Sequence, residues 1–163
     1  MFTALLLVEP LLEWLQSTGT AQAIAQSLML TGFLSSVHLL GLMLVVGGAL
    51  VSSLRLLGIM LADVPISSVA GPTGRGIVAG LLISVTTGFL LVSPRALAAF
   101  DNGFFQIKMV LLLAAVLLHV TLFRRVTRQV DVGPLMLKAT GALGLGLWGG
   151  VAAAGCAYIL LEY

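Results

Sequence analysis

Charged and apolar residues are segregated along this chain instead of alternating. No Asp, Glu, Lys or Arg occurs between Gln16 and Leu54, and three further stretches, Gly76 to Val92, Phe104 to Phe123 and Ala139 to Leu161, are almost wholly apolar. A bilayer core needs roughly 20 such residues per helix, so the pattern predicts transmembrane helices over about 22–57, 76–92, 104–123 and 137–161. The second is the shortest, bounded by Arg75 and by Ser93-Pro94-Arg95, and should cross with little tilt. Ala62 to Pro65 with Gly71 to Gly74, then Pro94 to Gly103, then Arg124 to Pro134 read as the connections. They are short enough to make consecutive helices antiparallel neighbours. The expected fold is an all-α integral membrane four-helix bundle, a single transmembrane domain over 1–163.

Residues 2–16 break the pattern. Leu5, Leu6, Leu12 and Leu15 are interrupted by Glu9, Pro10 and Glu13, with Trp14 suited to the headgroup level, which predicts an amino-terminal interfacial helix. A cleaved signal peptide fits less well, because a basic leading segment is missing and two glutamates fall where its apolar core should be. Arg55, Arg75, Arg124, Arg125, Arg128 and Lys138 belong to the first and third connections, against Arg95 and Lys108 on the other side. That asymmetry predicts cytoplasmic first and third connections and both termini outside, with Tyr158 and Tyr163 as outer interface anchors. Arg124, Arg125 and Arg128 also suit anionic lipid.

Helical faces follow from spacing. Thr31, Ser35, Gly41, Val45, Gly48 and Ser52 recur at three- or four-residue steps, a small, weakly polar stripe that should face the bundle. Lys108 and His119 are eleven residues apart, about three turns, and share an inward face. The fourth span carries Gly141, Gly144, Gly146, Gly149, Gly150 and Gly155, including a Gly146-x-x-x-Gly150 pair suited to close helix packing or to a flat ring laid on the backbone.

Composition narrows the class. With 60% hydrophobic and 9% charged residues among 163, and a mean hydropathy of +1.16, the chain has too little polar surface for a water-soluble domain. A net charge of +2 excludes a nucleic-acid partner as the default. Cys156 is the one cysteine, so neither an intrachain disulfide nor a Cys-pair metal site can form. A hydrolase reading lacks a carboxylate or nucleophile pair within the membrane, and no strand precedes a Gly-rich phosphate loop.

Two histidines remain. An imidazole within an apolar span must be solvated by protein, water or a ligand, and such groups mark working sites. His38 and His119 on inward faces of a helical bundle point to haem or metal ligation, since neutral imidazole is a common axial ligand; the plainer alternative is a hydrogen bond to Ser, Thr or a carbonyl that pins the packing. Depth separates the two. From Leu50 and Phe123, His38 lies about 18 Å and His119 about 6 Å into the membrane at 1.5 Å per residue, so one iron held by both needs tilt or a vertical shift. Lys108 either snorkels to the headgroups or faces inward to pair with a haem propionate or quinone oxygen. Arg55 has a parallel reading as a topology anchor. A copper path would want thioether and imidazole ligands in line, whereas the methionines show no Met-x-x-Met or Met-x-x-x-Met spacing.

The run from His38 to Gly47, leading to Leu54-Arg55-Leu56-Leu57-Gly58 and preceded by Leu11 to Leu15, resembles an uncharacterised family of bacterial four-helix membrane proteins over most of the chain. More distantly it is similar to copper-resistance D-type membrane proteins and to the haem J type membrane protoporphyrinogen oxidase, which share a helix-one His, an Arg at its cytoplasmic end and a Lys opening helix three. In the oxidase type a His follows that Lys by eleven residues, as His119 follows Lys108. The chain differs from the oxidase pattern in one extra residue between His and Arg, and in Met43 to Val46 where the oxidase has aromatic residues. The resemblance implies a cofactor-bearing bundle in the bacterial inner membrane, with His38, Arg55, Lys108 and His119 as candidate site residues and His38 and His119 as metal ligands. The expected function is haem b binding with cytochrome b-like electron transfer, in a homo-oligomer or a subunit of a membrane complex, with a quinone as a candidate partner. Copper handling, or a structural subunit without a cofactor, are the alternatives.

Overall fold

A computed structural model describes residues 2–128 and 132–161, and every regular element within them is helical. The elements are α1 (Phe2–Ser17), α2 (Gly19–Gln26), α3 (Leu28–Leu57), α4 (Ile66–Val92), α5 (Ala96–Asp101), α6 (Gly103–Leu118), α7 (Arg124–Arg128) and α8 (Pro134–Leu160). A 3₁₀ turn, Ser93–Arg95, joins α4 to α5, and a π-helical turn, His119–Phe123, joins α6 to α7. Four segments, Leu28–Leu57, Ile66–Asp101, Gly103–Thr127 and Pro134–Leu160, are long and apolar enough to cross a membrane. The all-α, four-span expectation holds, and the chain is a multi-pass membrane protein.

Boundaries depart from the sequence pattern where a side chain or a tertiary contact outweighs a local signal. The first span starts at Leu28, not near 22, because Ser27 turns the chain (φ −117°, ψ 100°) and its hydroxyl caps the new helix by accepting from the Leu30 N–H at 3.2 Å. The second starts at Ile66, ten residues before Gly76, and runs straight through Gly71-Pro72-Thr73-Gly74. Pro72 removes one helical hydrogen bond, but the carbonyl it frees belongs to Ser68, which is exposed. Thr73 reinforces the segment by donating to the Val69 carbonyl at 2.8 Å while accepting from the Ser52 hydroxyl of α3 at 2.6 Å. The connection expected over Pro94 to Gly103 is itself mostly helical, and Arg124–Arg128 extends the third span. Residues 129–131, within the expected third connection, and Tyr163 lie outside the described residues.

α3 is the central element. Its Gly41 meets Gly80 of α4, and a Cβ on Gly80 would stand 2.6 Å from the Gly41 carbonyl oxygen and 2.8 Å from Leu44 Cβ. Gly48 repeats the approach, within 2.9 Å of Ile77. The stripe Gly41, Val45, Gly48 and Ser52 therefore faces α4. The neighbouring face, Ala49, Ser53 and Leu56, receives α8, where a Cβ on Gly141 would stand 2.8 Å from the Ser53 carbonyl and one on Gly144 2.7 Å from Ser53 Oγ. The expected Gly146–Gly150 pair does not make this contact: Gly146 and Gly149 have open space beside them, and Gly150 touches only Leu111. Glycine pattern alone does not reveal which face of a glycine-rich helix meets its neighbour.

α3 packs on α4 and on α8, and α8 on α6, whereas among the described residues α4 and α6 barely approach one another. One edge of the four-helix arrangement is thus a lateral gap. α7 leans on α4 at the Arg-rich end, and α5 leads into α6 at the other. The central core is Val45, Ala49, Ile77, Ala115, Trp148 and Val151, and a second cluster, Leu56, Phe123 and Val126, seals the Arg-rich end. Outward positions such as Leu40, Met43, Leu82, Val85, Phe89, Val110 and Leu113 are exposed, as a hydrocarbon solvent allows. The expected amino-terminal helix forms as α1 and lies against the 93–101 segment. Gln16 holds it there, donating to the Pro94 carbonyl at 3.0 Å and accepting from the Leu97 N–H at 3.3 Å.

Candidate functional site

Polar side chains inside this bundle gather at two levels with an apolar layer between them. The level near the α1 end is built on the Gly41–Gly80 crossing. Because α3 and α4 run antiparallel, residues before Gly41 oppose residues after Gly80, which brings His38 to Ser84, Thr87 and Gly88. His38 Nδ1 lies 3.1 Å from Thr87 Oγ1. The one hydroxyl proton of Thr87 is given to the Ile83 carbonyl at 2.7 Å. Thr87 Oγ1 is therefore an acceptor toward His38, the neutral imidazole carries its proton on Nδ1, and Nε2 keeps its lone pair. Ser84 donates to the His38 carbonyl at 3.4 Å. Gly88 gives the ring its space, since a Cβ there would stand 3.0 Å from His38 Cε1.

Lys108 reaches the same level from α6. Its half-buried side chain lies along α8, where a Cβ on Gly155 would be 3.4 Å from Nζ and 3.5 Å from Cε. On α8, Gly155 lies about 16 Å from Gly144, the residue that meets Ser53, and on α3 His38 lies about 22 Å from Ser53 in the same direction, so Lys108 and His38 stand at a similar depth. Among the described residues no carboxylate pairs with the Lys108 ammonium.

The second level lies toward the Arg-rich end. The π-helical turn begins at His119, whose ring stacks on Phe123 at 4.9 Å between centroids and 18° between planes. Such one-turn insertions recur at functional sites because they re-aim side chains. A narrow cavity here is lined by Ala49, Ser53, Leu118, His119, Phe123, Gly144 and Trp148. Thr140 sits nearby on α8, fully buried, with its hydroxyl given to the Met136 carbonyl at 2.8 Å.

These placements sort the four candidate residues. His38 and Lys108 belong to one level. His119 belongs to the other, about 16 Å away along α6 at 1.5 Å per residue over eleven residues. Arg55 joins neither, because its Nε donates to the Val64 carbonyl at 2.7 Å and ties the end of α3 to the turn that follows. Lys108 and His119 do share a face, since both meet α8. The methionines do not assemble with the histidines: Met29, Met43 and Met109 are exposed and Met136 packs in the Arg-rich cluster. Among the described residues no group of three or more His, Cys, Asp or Glu comes together. Thr87, Gly88, Ser53 and Trp148 were not legible as site residues in the sequence. The only local trace was Thr86-Thr87-Gly88, a polar pair and a glycine inside an apolar helix.

A bundle of four membrane-crossing helices, closed on three edges and carrying one histidine at each of two internal polar levels, defines the class of protein. The chain belongs to the DUF6644 family, a family of unknown function whose model matches residues 12–160. No curated protein and no solved structure matches it.

Proposed function

We propose that this protein binds haem b and passes electrons within or across the bacterial cytoplasmic membrane, with His38 as the residue that would hold the iron. The observation that carries the reading is the His38–Thr87–Ile83 relay, which leaves Nε2 unprotonated and fixes the ring, as outer-shell hydrogen bonds do for ligating histidines. The residues that would hold the group lie at this one level. His38 offers one imidazole nitrogen and Lys108 a cation for a propionate, and the glycines Gly88 and Gly155 make room for these two side chains. His119 lies on the other level, so this reading gives the iron one histidine of this chain. Haem, when bound, supplies one-electron exchange. Thr87 holds the imidazole proton, Gly88 leaves room for the ring, and Lys108 neutralises acid groups that hydrocarbon would not solvate. The exposed Met29, Met43 and Met109, which stand apart from His38, favour haem over copper. Six basic residues at one end against two at the other support a cytoplasmic Arg-rich end and both termini outside.

The test is the absorption spectrum of detergent-purified protein produced with haem supplied. A Soret band is expected in the wild type, lost in His38→Ala, restored by added imidazole, and retained in His119→Ala. A wild type without the band, or a His38→Ala variant that keeps it in full, overturns the reading.

A further inference from the structure

We infer that the outward face of α4 around Arg75 holds the headgroup of an anionic phospholipid, its phosphate on the guanidinium. The depth of Arg75 follows from the α3–α4 contact. A Cβ on Gly48 would stand 3.2 Å from the Thr73 carbonyl oxygen and 2.9 Å from Ile77, so Arg75, midway between those two residues, is level with Gly48. Nine residues separate that level from the end of α3 at Leu57, about 13 Å at 1.5 Å per residue. Arg75 is thus inside the apolar span that starts at Ile66, and it is exposed. A charge at such a depth needs an anion or water beside it.

Its surroundings on α4 are polar. Ser68, Gly71, Pro72 and Arg75 follow at three- and four-residue steps, share one face and are all exposed. Beyond Arg75 the same face turns apolar, through Val78, Leu82, Val85 and Phe89. The other spans do not change there. Ser53 lies about 7 Å nearer the Arg-rich end than Gly48, and at its level Leu117 and Val120, beside His119, and Leu143, beside Gly144, are exposed and apolar. Hydrocarbon therefore reaches further toward the Arg-rich end along α6 and α8 than along α4. Snorkelling would lift the Arg75 charge, but the Ser68 carbonyl that Pro72 frees would still face lipid tails, which offer it no donor.

A lipid head drawn into this notch meets both needs. Guanidinium takes a phosphate through two parallel hydrogen bonds, and a headgroup hydroxyl, which phosphatidylglycerol carries and phosphatidylcholine lacks, can donate to the Ser68 carbonyl. Gly71 and Gly74 have open space beside them and leave room for the head, while Val78 and Leu82 receive an acyl chain. Charge selects an anionic lipid. By sequence the connections at this end carry six basic residues against Asp63 and Asp131, and each basic residue near a membrane surface attracts anionic heads.

The test places a bimane label on Val78→Cys, one turn from Arg75 on the same face, in a full-length Cys156→Ser background. The protein is reconstituted in mixed vesicles of dioleoylphosphatidylglycerol and dioleoylphosphatidylcholine, one or the other carrying brominated chains, and quenching of the label reads the preference at the adjacent lipid position. A preference of about fivefold for phosphatidylglycerol is expected, the contribution of one basic residue. It should fall to near one in Arg75→Gln and persist in an Arg124→Gln, Arg125→Gln double variant. Equal quenching by both lipids without those substitutions, a preference that survives Arg75→Gln, or one abolished by the double variant overturns the site. So does a label that neither lipid quenches, as when a second copy covers α4. Arg75 and Val78 are exposed, so their substitution leaves the packing of the fold untouched, and the readout needs no cofactor signal.

Discussion

Thr87 has a single hydroxyl proton, and where it goes decides what His38 can do. Given to Ile83, it leaves the oxygen to hold the imidazole N–H. Thr87→Val keeps the shape and removes the acceptor, so the ring loses both its tautomer and its orientation. The expected result is a shifted Soret position and a changed midpoint potential in a protein that remains folded, with Thr87→Ser restoring the wild-type values. A stability loss of about 1 kcal/mol, typical of one hydrogen bond, with unaltered spectra would instead mark Thr87 as a packing residue. Gly88→Ala tests the same ring from the other side. Its Cβ would press on Cε1 from 3.0 Å, displacing the imidazole by a few tenths of an ångström, and the same spectrum reads the displacement. His38 itself was legible in the sequence because an ionisable ring in an uncharged run is conspicuous. Its partner was not, because Thr87 is 49 positions away and which residues meet across two helices depends on a register that only the Gly41–Gly80 contact determines.

At the scale of elements, helix contacts rest on missing side chains more than on large ones. Gly80→Val places atoms where the Gly41 carbonyl already lies 2.6 Å from the Cβ position. Since both partners are backbone or Cβ atoms, neither can swing aside, and the cost should reach the upper part of the roughly 1–3 kcal/mol seen for overpacking. Thermal unfolding in detergent should show a clear fall in Tm for Gly80→Val and little change for Gly146→Val, which has open space around it. Equal effects would mean that the α3–α4 crossing is not the tight contact of the fold. Spans were readable from hydropathy because that signal is local. The start of α4 was not, because Gly71-Pro72-Thr73-Gly74 is a breaker sequence on its own and becomes helical only where Ser52 of α3 binds Thr73.

For the molecule as a whole, topology is the property most exposed to a direct check. In a Cys156→Ser background, a cysteine introduced at Arg95 should react with a membrane-impermeant maleimide in intact cells, and one introduced at Arg75 only after the membrane is opened. The reverse pattern would invert the orientation that the basic residues predict. Cofactor assignment does not depend on this outcome, since both polar levels are internal.

The core cluster of Val45, Ile77, Ala115 and Val151 occupies the whole interval between the His38 and His119 levels. That interval, about 16 Å along α6, is roughly half of a bilayer's hydrocarbon thickness. With polar side chains above and below it, about half of a transmembrane voltage falls across this layer. A charge moved from one level to the other would then exchange on the order of 1 kcal/mol with the field per 100 mV. Val45 and Ile77 thereby act as the dielectric of a capacitor whose plates are the two histidine levels.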